Sequence, residues 1–246
     1  IKKIVGENEA CIKYWNDALL LWKQLDEKGE ISRLHRKMAN VLWEKMGDTE
    51  KAEKHHEESL EILETEPESV ELASLYEDMA RMYFRTESMA KALPWAEKAL
   101  ELAKKLNDLE IIADSYLTLG AIILNTGDWK KAIECNERAL KIALDNGYIE
   151  TAVRAYNNLT VALPYEECER GLECLEKGFE LARKAGAIFW ISWIGTNLAG
   201  WYLSMGNMKK AIPLAEESVA LDRKAGNVTH LSISLSTLGF IYQILG

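Results

Sequence analysis

YLTLGAIILNTGDWKKAIECNERALKIALDNG, residues 116–147, reads as helix, tight turn, helix. Tyr116, Leu119, Gly120 and Ile123 recur at helical spacing and mark one face of the first helix. Gly127-Asp128 supplies the turn, with Asp128 placed to cap the free N–H groups of the second helix. Ala132, Ala139 and Leu140 mark the inner face of that helix. Gly147 ends it, because glycine takes a left-handed conformation without steric cost.

Outward from this stretch the same unit recurs. The small residue of the second helix appears as Ala18, Ser59, Ala99, Ala139, Gly178 and Ser218, and that of the first as Ala39, Ala80, Gly120, Thr160, Ala199 and Gly239. Successive members of each series lie 39 to 41 residues apart, and each second-helix residue precedes the next first-helix residue by 21. Two series locked in phase define an internal repeat. Small residues belong where two backbones cross closely, with larger side chains filling in beside them. Met38, Met79, Leu119, Leu159, Leu198 and Leu238 are those fillers. A third column, Asp26, Pro67, Asn107, Gly147, Gly186 and Gly226, holds turn-favouring residues only, so helices are expected to end there in register.

Helices are therefore expected near 30–46 and 49–64, 69–85 and 88–105, 109–126 and 129–145, 149–164 and 166–184, and 187–205 and 208–224. The domain reading is one solenoid over 1–246: a half repeat 1–29, repeats 30–68, 69–108, 109–148, 149–186 and 187–227, and a half repeat 228–246. Opening and closing in mid-repeat, with an apolar last helix, leads to the expectation of a fragment of a longer protein, since solenoid ends need polar caps. Repeat four replaces its turn glycine by Pro164-Tyr165-Glu166. Pro94 and Pro213, each two residues after a helix-entry alanine, are expected to mark a late helix start or to bend the first turns.

The pattern resembles the tetratricopeptide repeat, whose signature is aromatic-x2-Leu-Gly-x2-Tyr, then Ala, then Pro. Tyr76-Met79-Ala80-Tyr83 matches the opening, Pro67 sits in the proline column, and Ala132 and Ala139 keep the family's spacing after Gly120. Each repeat is about six residues longer than the usual one, and the extra length falls between a second helix and the next first helix. Repeats of this length resemble those of kinesin light chains and of STAND-class signalling ATPases and transcription regulators. The resemblance implies an all-α fold, a right-handed superhelical solenoid of antiparallel helix pairs with about twelve helices. It says little about function, since such repeats serve many ends.

A net charge of −9 argues against general binding to nucleic acid or anionic lipid, which needs basic clusters. The apolar run near Ile188 is broken by Ser192, Thr196 and Asn197, so no membrane span is expected, and no signal peptide is evident. Cys11, Cys135, Cys168 and Cys174 show no framework spacing, and Cys135 and Cys174 share a column, which suits packing better than bridging. A reducing, cytoplasmic setting follows as the expectation.

No catalytic signature is present: there is no phosphate-binding glycine loop, no GxSxG elbow and no HExxH pair. No enzyme activity, cofactor or metal is therefore expected. Neighbouring side chains on a helix point about 100° apart, so His55-His56 reads as a solvated face and not as a joint metal site. His35, four before Ala39, reads as interhelix packing, and His230 has no acidic partner at i+4.

By resemblance to the family, first helices line an inner groove, at positions six, three and two before the small residue and one and four after it. On this chain those positions include Arg33, Arg36, Asn40, Trp43, Arg81, Phe84, Arg154, Asn157, Asn158, Trp193 and Asn197. Asn158 and Asn197 occupy one column, and the words NNL and TNL resemble a segment of kinesin light chains. An asparagine amide both donates to and accepts from a peptide backbone. The arginines suit carboxylates, and the aromatics suit an apolar anchor. Against this, Arg81 has Glu77 and Asp78 one turn away, and Trp190, Trp193 and Trp201 also suit packing between repeats. The leading reading is a protein or peptide-binding module of a larger cytosolic regulator. A small-ligand sensor using the Trp-rich fifth repeat, and a scaffold self-assembling through terminal helices, are the alternatives.

Overall fold

The computed structural model describes residues 2–86, 88–226 and 228–245. The end residues of the two half repeats, Ile1 and Gly246, and Asn227 of the fifth repeat lie outside the described residues. The described residues form twelve α-helices and no strand. In chain order these are α1 (Lys2–Leu25), α2 (Lys28–Val41), α3 (Thr49–Leu63), α4 (Val70–Arg85), α5 (Met89–Leu106), α6 (Leu109–Asn125), α7 (Trp129–Asn146), α8 (Ile149–Ala162), α9 (Cys168–Ala185), α10 (Ile188–Ser204), α11 (Met208–Ala225) and α12 (Val228–Leu245). A π-helical turn, Leu42–Met46, extends α2, and a 3-10 turn, Tyr165–Glu167, leads into α9. The most intimate packing is within the hairpins α2/α3, α4/α5, α8/α9 and α10/α11, the helix pairs of the repeat.

Asp128 caps α7, its side chain accepting from Lys131 N at 3.1 Å. Asp48 and Asn207 do the same at the corresponding turns, and Ser69 and Asp108 cap first helices at the turns between repeats. The turn column ends helices by one mechanism. Asp26, Asn107, Gly147, Gly186 and Gly226 all sit at positive φ, between 55° and 74°, where the reversed backbone lets N–H groups bond back to the last carbonyls. Pro67 is locked at negative φ and cannot do this, and there α3 stops early, at Leu63.

The small-residue columns are buried at Ser59, Ala99, Ala139, Gly178 and Ser218, and at Ala39, Ala80, Gly120 and Ala199. Gly178 shows why: a Cβ there would stand 3.1 Å from Tyr156 Cβ and 3.2 Å from Ile194 Cδ1. Pro94 and Pro213 are each the sixth residue of their helices, so neither marks a late start. Both lie on the solvent face, as do Ala90 and Lys209, the residues whose carbonyls lose an N–H partner to the prolines. At the altered turn of repeat four, Leu163 and Pro164 run extended between α8 and the 3-10 turn.

The chain divides into two compact units, residues 1–122 and 123–246, the division falling inside α6. The first has buried Met38, Leu75, Met79 and Met82 among its largest core side chains. The second is built on Val153, Leu175, Ile194, Leu198, Tyr202 and Ile241, with Trp190, Trp193 and Trp201 packed partly buried against them. The four cysteines are free, and burial pushes the thiols of Cys135 and Cys174 up. Among the described residues, no helix is long and apolar enough to cross a membrane.

Candidate functional site

In the second unit, first helices and the altered turn enclose a cleft of about 730 Å³. Its lining includes Asn157 and Val161 of α8, Pro164 and Tyr165 of the turn, Thr196, Asn197, Gly200 and Trp201 of α10, and Ile233 and Thr237 of α12. Loss of one residue and the glycine in repeat four replaces a compact turn by an extended segment, which becomes one rim. Tyr165 on that rim is 89% exposed and Val161 beside it 65%. The floor depends on Gly171 of α9, where a Cβ would stand 3.2 Å from Trp201 Cη2, so its absence lets the indole lie against the helix. Among the described residues, Glu167 is the one charged residue lining the cleft.

Across the cleft wall, Asn197 Nδ2 donates to Asn157 Oδ1 at 2.9 Å. The sequence column aligned Asn197 with Asn158, but the contact slants by one residue and selects Asn157. Each amide offers two donor hydrogens and two acceptor lone pairs. Among the described residues this is the one hydrogen bond of either side chain, so both N–H donors of Asn157, and one donor and the carbonyl of Asn197, remain. Those are the groups that match the N–H and C=O of an extended backbone.

The first unit has a concavity of a different character, about 290 Å³, lined by Arg36, Ser74, Glu77, Asp78, Asp108, Glu110 and Asp114 among others. Asp78 is its hub: Asn40 Nδ2 donates to Oδ2 at 3.0 Å, Arg81 Nη2 to Oδ1 at 3.0 Å, and Arg36 Nε lies 3.6 Å from Oδ2. Trp43 Nε1 donates to Asn40, and its ring centroid lies 5.7 Å from the Arg81 guanidinium. Arg33 is held by Glu71 at 3.0 Å and Glu30 at 2.8 Å. Burial works against the charge on Arg81, but Glu77, Asp78, Glu44 and Asp114 outweigh it and raise its pKa. Arg33, Arg36 and Arg81 are thus paired with carboxylates of the chain itself.

Of the remaining expected groove residues, Arg154, Asn158 and Phe84 are half-buried on their first helices. Trp193 stacks on His230, with centroids 4.7 Å apart, and packs with Phe189, so it serves the α10/α12 contact and not an open anchor site. One further expectation is corrected. His55-His56 is not a solvated face: His56 is fully buried with both ring nitrogens unpartnered, and His55 meets His35 across the hairpin. His230 has an acidic partner, Asp222 at 2.8 Å, eight residues back on α11. Asp222 also accepts from Ser192 and Ser234, so this buried group ties α10, α11 and α12 together. The outer face of α12 is apolar and exposed at Phe240, Ile244 and Leu245.

Helix pairs repeated at this spacing, with first-helix residues lining concavities, define a class of helical-repeat protein. The chain belongs to the tetratricopeptide repeat family: one model of that repeat matches residues 2–65 and 71–145, and a second matches 196–229. It is 27% identical over 153 residues to tetratricopeptide repeat protein 29 of Trypanosoma brucei brucei, covering 61% of this chain and 31% of that protein. It thus spans about a third of the length of that curated relative. Among solved structures it is similar to a Rap protein complexed with competence and sporulation factor, with TM-score 0.69 and 17% identity over 99% of this chain and 72% of that one. It is also similar to a Signal Transduction ATPase with Numerous Domains protein with a tetratricopeptide repeat sensor from Pyrococcus horikoshii, with TM-score 0.61 and 17% identity over 98% and 39%.

Proposed function

We propose that the chain is a non-catalytic interaction module of a larger cytoplasmic regulatory protein, holding an extended partner segment in the cleft of residues 123–246. The observation that carries this is the Asn157–Asn197 pair, fixed on a largely uncharged wall with its remaining donors and acceptor unspent. Trp201, Val161 and Tyr165 supply apolar surface for the segment's side chains. The Rap protein noted above was solved with a signalling factor bound. That likeness concerns the fold, so the peptide reading rests on the cleft.

The test is selection of peptides from a random displayed library on the full chain, followed by calorimetry of the enriched peptides. Asn197→Ala and Asn157→Ala are expected to weaken binding about tenfold each, the size of one buried hydrogen bond lost. Affinity indifferent to both changes would reject the assignment. A second reading is supported by the cleft's size, which falls in the range of small-molecule sites, roughly 300–1,000 Å³. A metabolite screen by thermal shift, giving a saturable stabilisation where no peptide is enriched, would favour that sensor role. Light scattering on the same preparations reads self-association through α12.

A further inference from the structure

We propose that His35, His55 and Glu58 form a binding site for a late first-row divalent cation, with zinc the member of that class best suited to two imidazoles and a carboxylate. His35 lies on α2, and His55 and Glu58 lie one turn apart on α3. His35 Nδ1 is 2.9 Å from His55 Nδ1 and 2.8 Å from Glu58 Oε2, and His55 Nδ1 is 3.4 Å from that same oxygen. These atoms outline one face of a small tetrahedron. With metal–ligand bonds of about 2.0–2.1 Å, neighbouring donors of a tetrahedral site stand about 3.3 Å apart.

Hydrogen bonding alone does not account for the convergence. An uncharged imidazole nitrogen carries either one proton or one lone pair. A proton on His35 Nδ1 points at Glu58 or at His55, not in line with both, which leaves two acceptor pairs turned toward each other. A cation in the centre satisfies all three lone pairs at once.

The surroundings suit this role. The His35 side chain is 3% exposed, His55 21% and Glu58 55%, so the site has a dry floor and a fourth position open to water. His56 is not part of the site: as the next residue on the helix it points about 100° away from His55. A bound ion would staple α2 to α3, the helices of the first full repeat.

The test is calorimetric titration of the chelator-treated, desalted full chain with zinc chloride, alongside thermal melts and cobalt(II) absorption. One equivalent of zinc, a raised Tm and the absorption of tetrahedral cobalt are expected. Glu58→Gln and His55→Ala should each weaken zinc by at least about tenfold, the effect even outer-shell partners have, with circular dichroism confirming the helices. If His55→Ala fails to fold, Glu58→Gln, largely in solvent, decides the matter. Absence of saturable uptake overturns the proposal. So does uptake unchanged in these variants, or uptake abolished by alkylating the cysteines.

Discussion

The two concavities are built from the same helix positions of the same repeat, yet they have spent their polar groups differently. In the first unit Arg33, Arg36, Asn40 and Arg81 are engaged with Glu30, Glu71, Asp78 and Glu44. In the second, Asn157 and Asn197 bond only to each other among the contacts named above, on a wall of mostly uncharged residues. Charged groups on close helices tend to neutralise one another, because an unpaired charge there is costly. A neutral amide pair keeps capacity in hand. Position in the repeat therefore sets which residues face the groove, and the chemistry of their neighbours sets whether they are available.

The largest expected effect lies in the first unit. Arg81→Ala removes the cation from among four carboxylates and should destabilise that unit by about 3 kcal/mol, as read by denaturant unfolding, whereas Asn197→Ala should cost about 1 kcal/mol or less. Equal costs would erase the distinction between a structural network and an open wall.

Acid should sharpen the same contrast. Burial, with Arg81 and Arg36 nearby, pushes the pKa of His56 down from 6.5 to about 3. Between those values the unfolded chain takes up a proton that the folded chain refuses, so stability falls as pH drops from 6.5 towards 3. The loss at pH 5 comes to about 2 kcal/mol. Unfolding in chelator at pH 7 and pH 5 should show it in addition to the parts played by His35 and His55, which burial also holds low, and His56→Leu should remove its own share only. An unchanged pH slope in that variant would show that the buried histidine is not the sensor.

For partner binding the order reverses: Asn197→Ala should weaken a selected peptide about tenfold, and Arg36→Ala less than about twofold. The smallest effect is expected at the cleft floor. Gly171→Ala should displace the Trp201 indole and shift the intrinsic fluorescence, with a net stability change under about 1 kcal/mol because the helix gains from alanine what the contact loses. A silent substitution would mean the floor is looser than the 3.2 Å approach implies.

Fold and helix ends were legible in the sequence because they rest on local chemistry repeated several times over. A small residue at each crossing, a cap such as Asp128 and a left-handed residue such as Gly147 or Asn107 act within a few residues of themselves. Of the groove positions expected in repeats four and five, Asn157, Val161, Pro164, Thr196, Asn197 and Gly200 line the cleft, whereas Arg154, Asn158, Trp193 and Leu203 are not part of its lining. What was not legible depends on stagger between helices. Asn157, not Asn158, meets Asn197 because adjacent first helices are offset by a residue. His35 and His55 meet across 20 residues of chain, and His230 finds Asp222 on another helix. A scan of one helix at i+4 sees neither. Arg81 gave a readable warning, its two acidic neighbours one turn away. Arg33 and Arg36 gave less, because Glu71 and Asp78 belong to the next repeat.

Cys168 gives the most direct test of the claim that the second unit's cleft holds the partner. It lines the cleft and is partly exposed, whereas Cys11 lies on α1, outside that cleft. With a selected peptide at saturation, alkylation of Cys168 should slow several-fold while Cys11 reacts at its free rate. Unchanged labelling of Cys168 by a peptide that calorimetry shows to be bound would contradict the account.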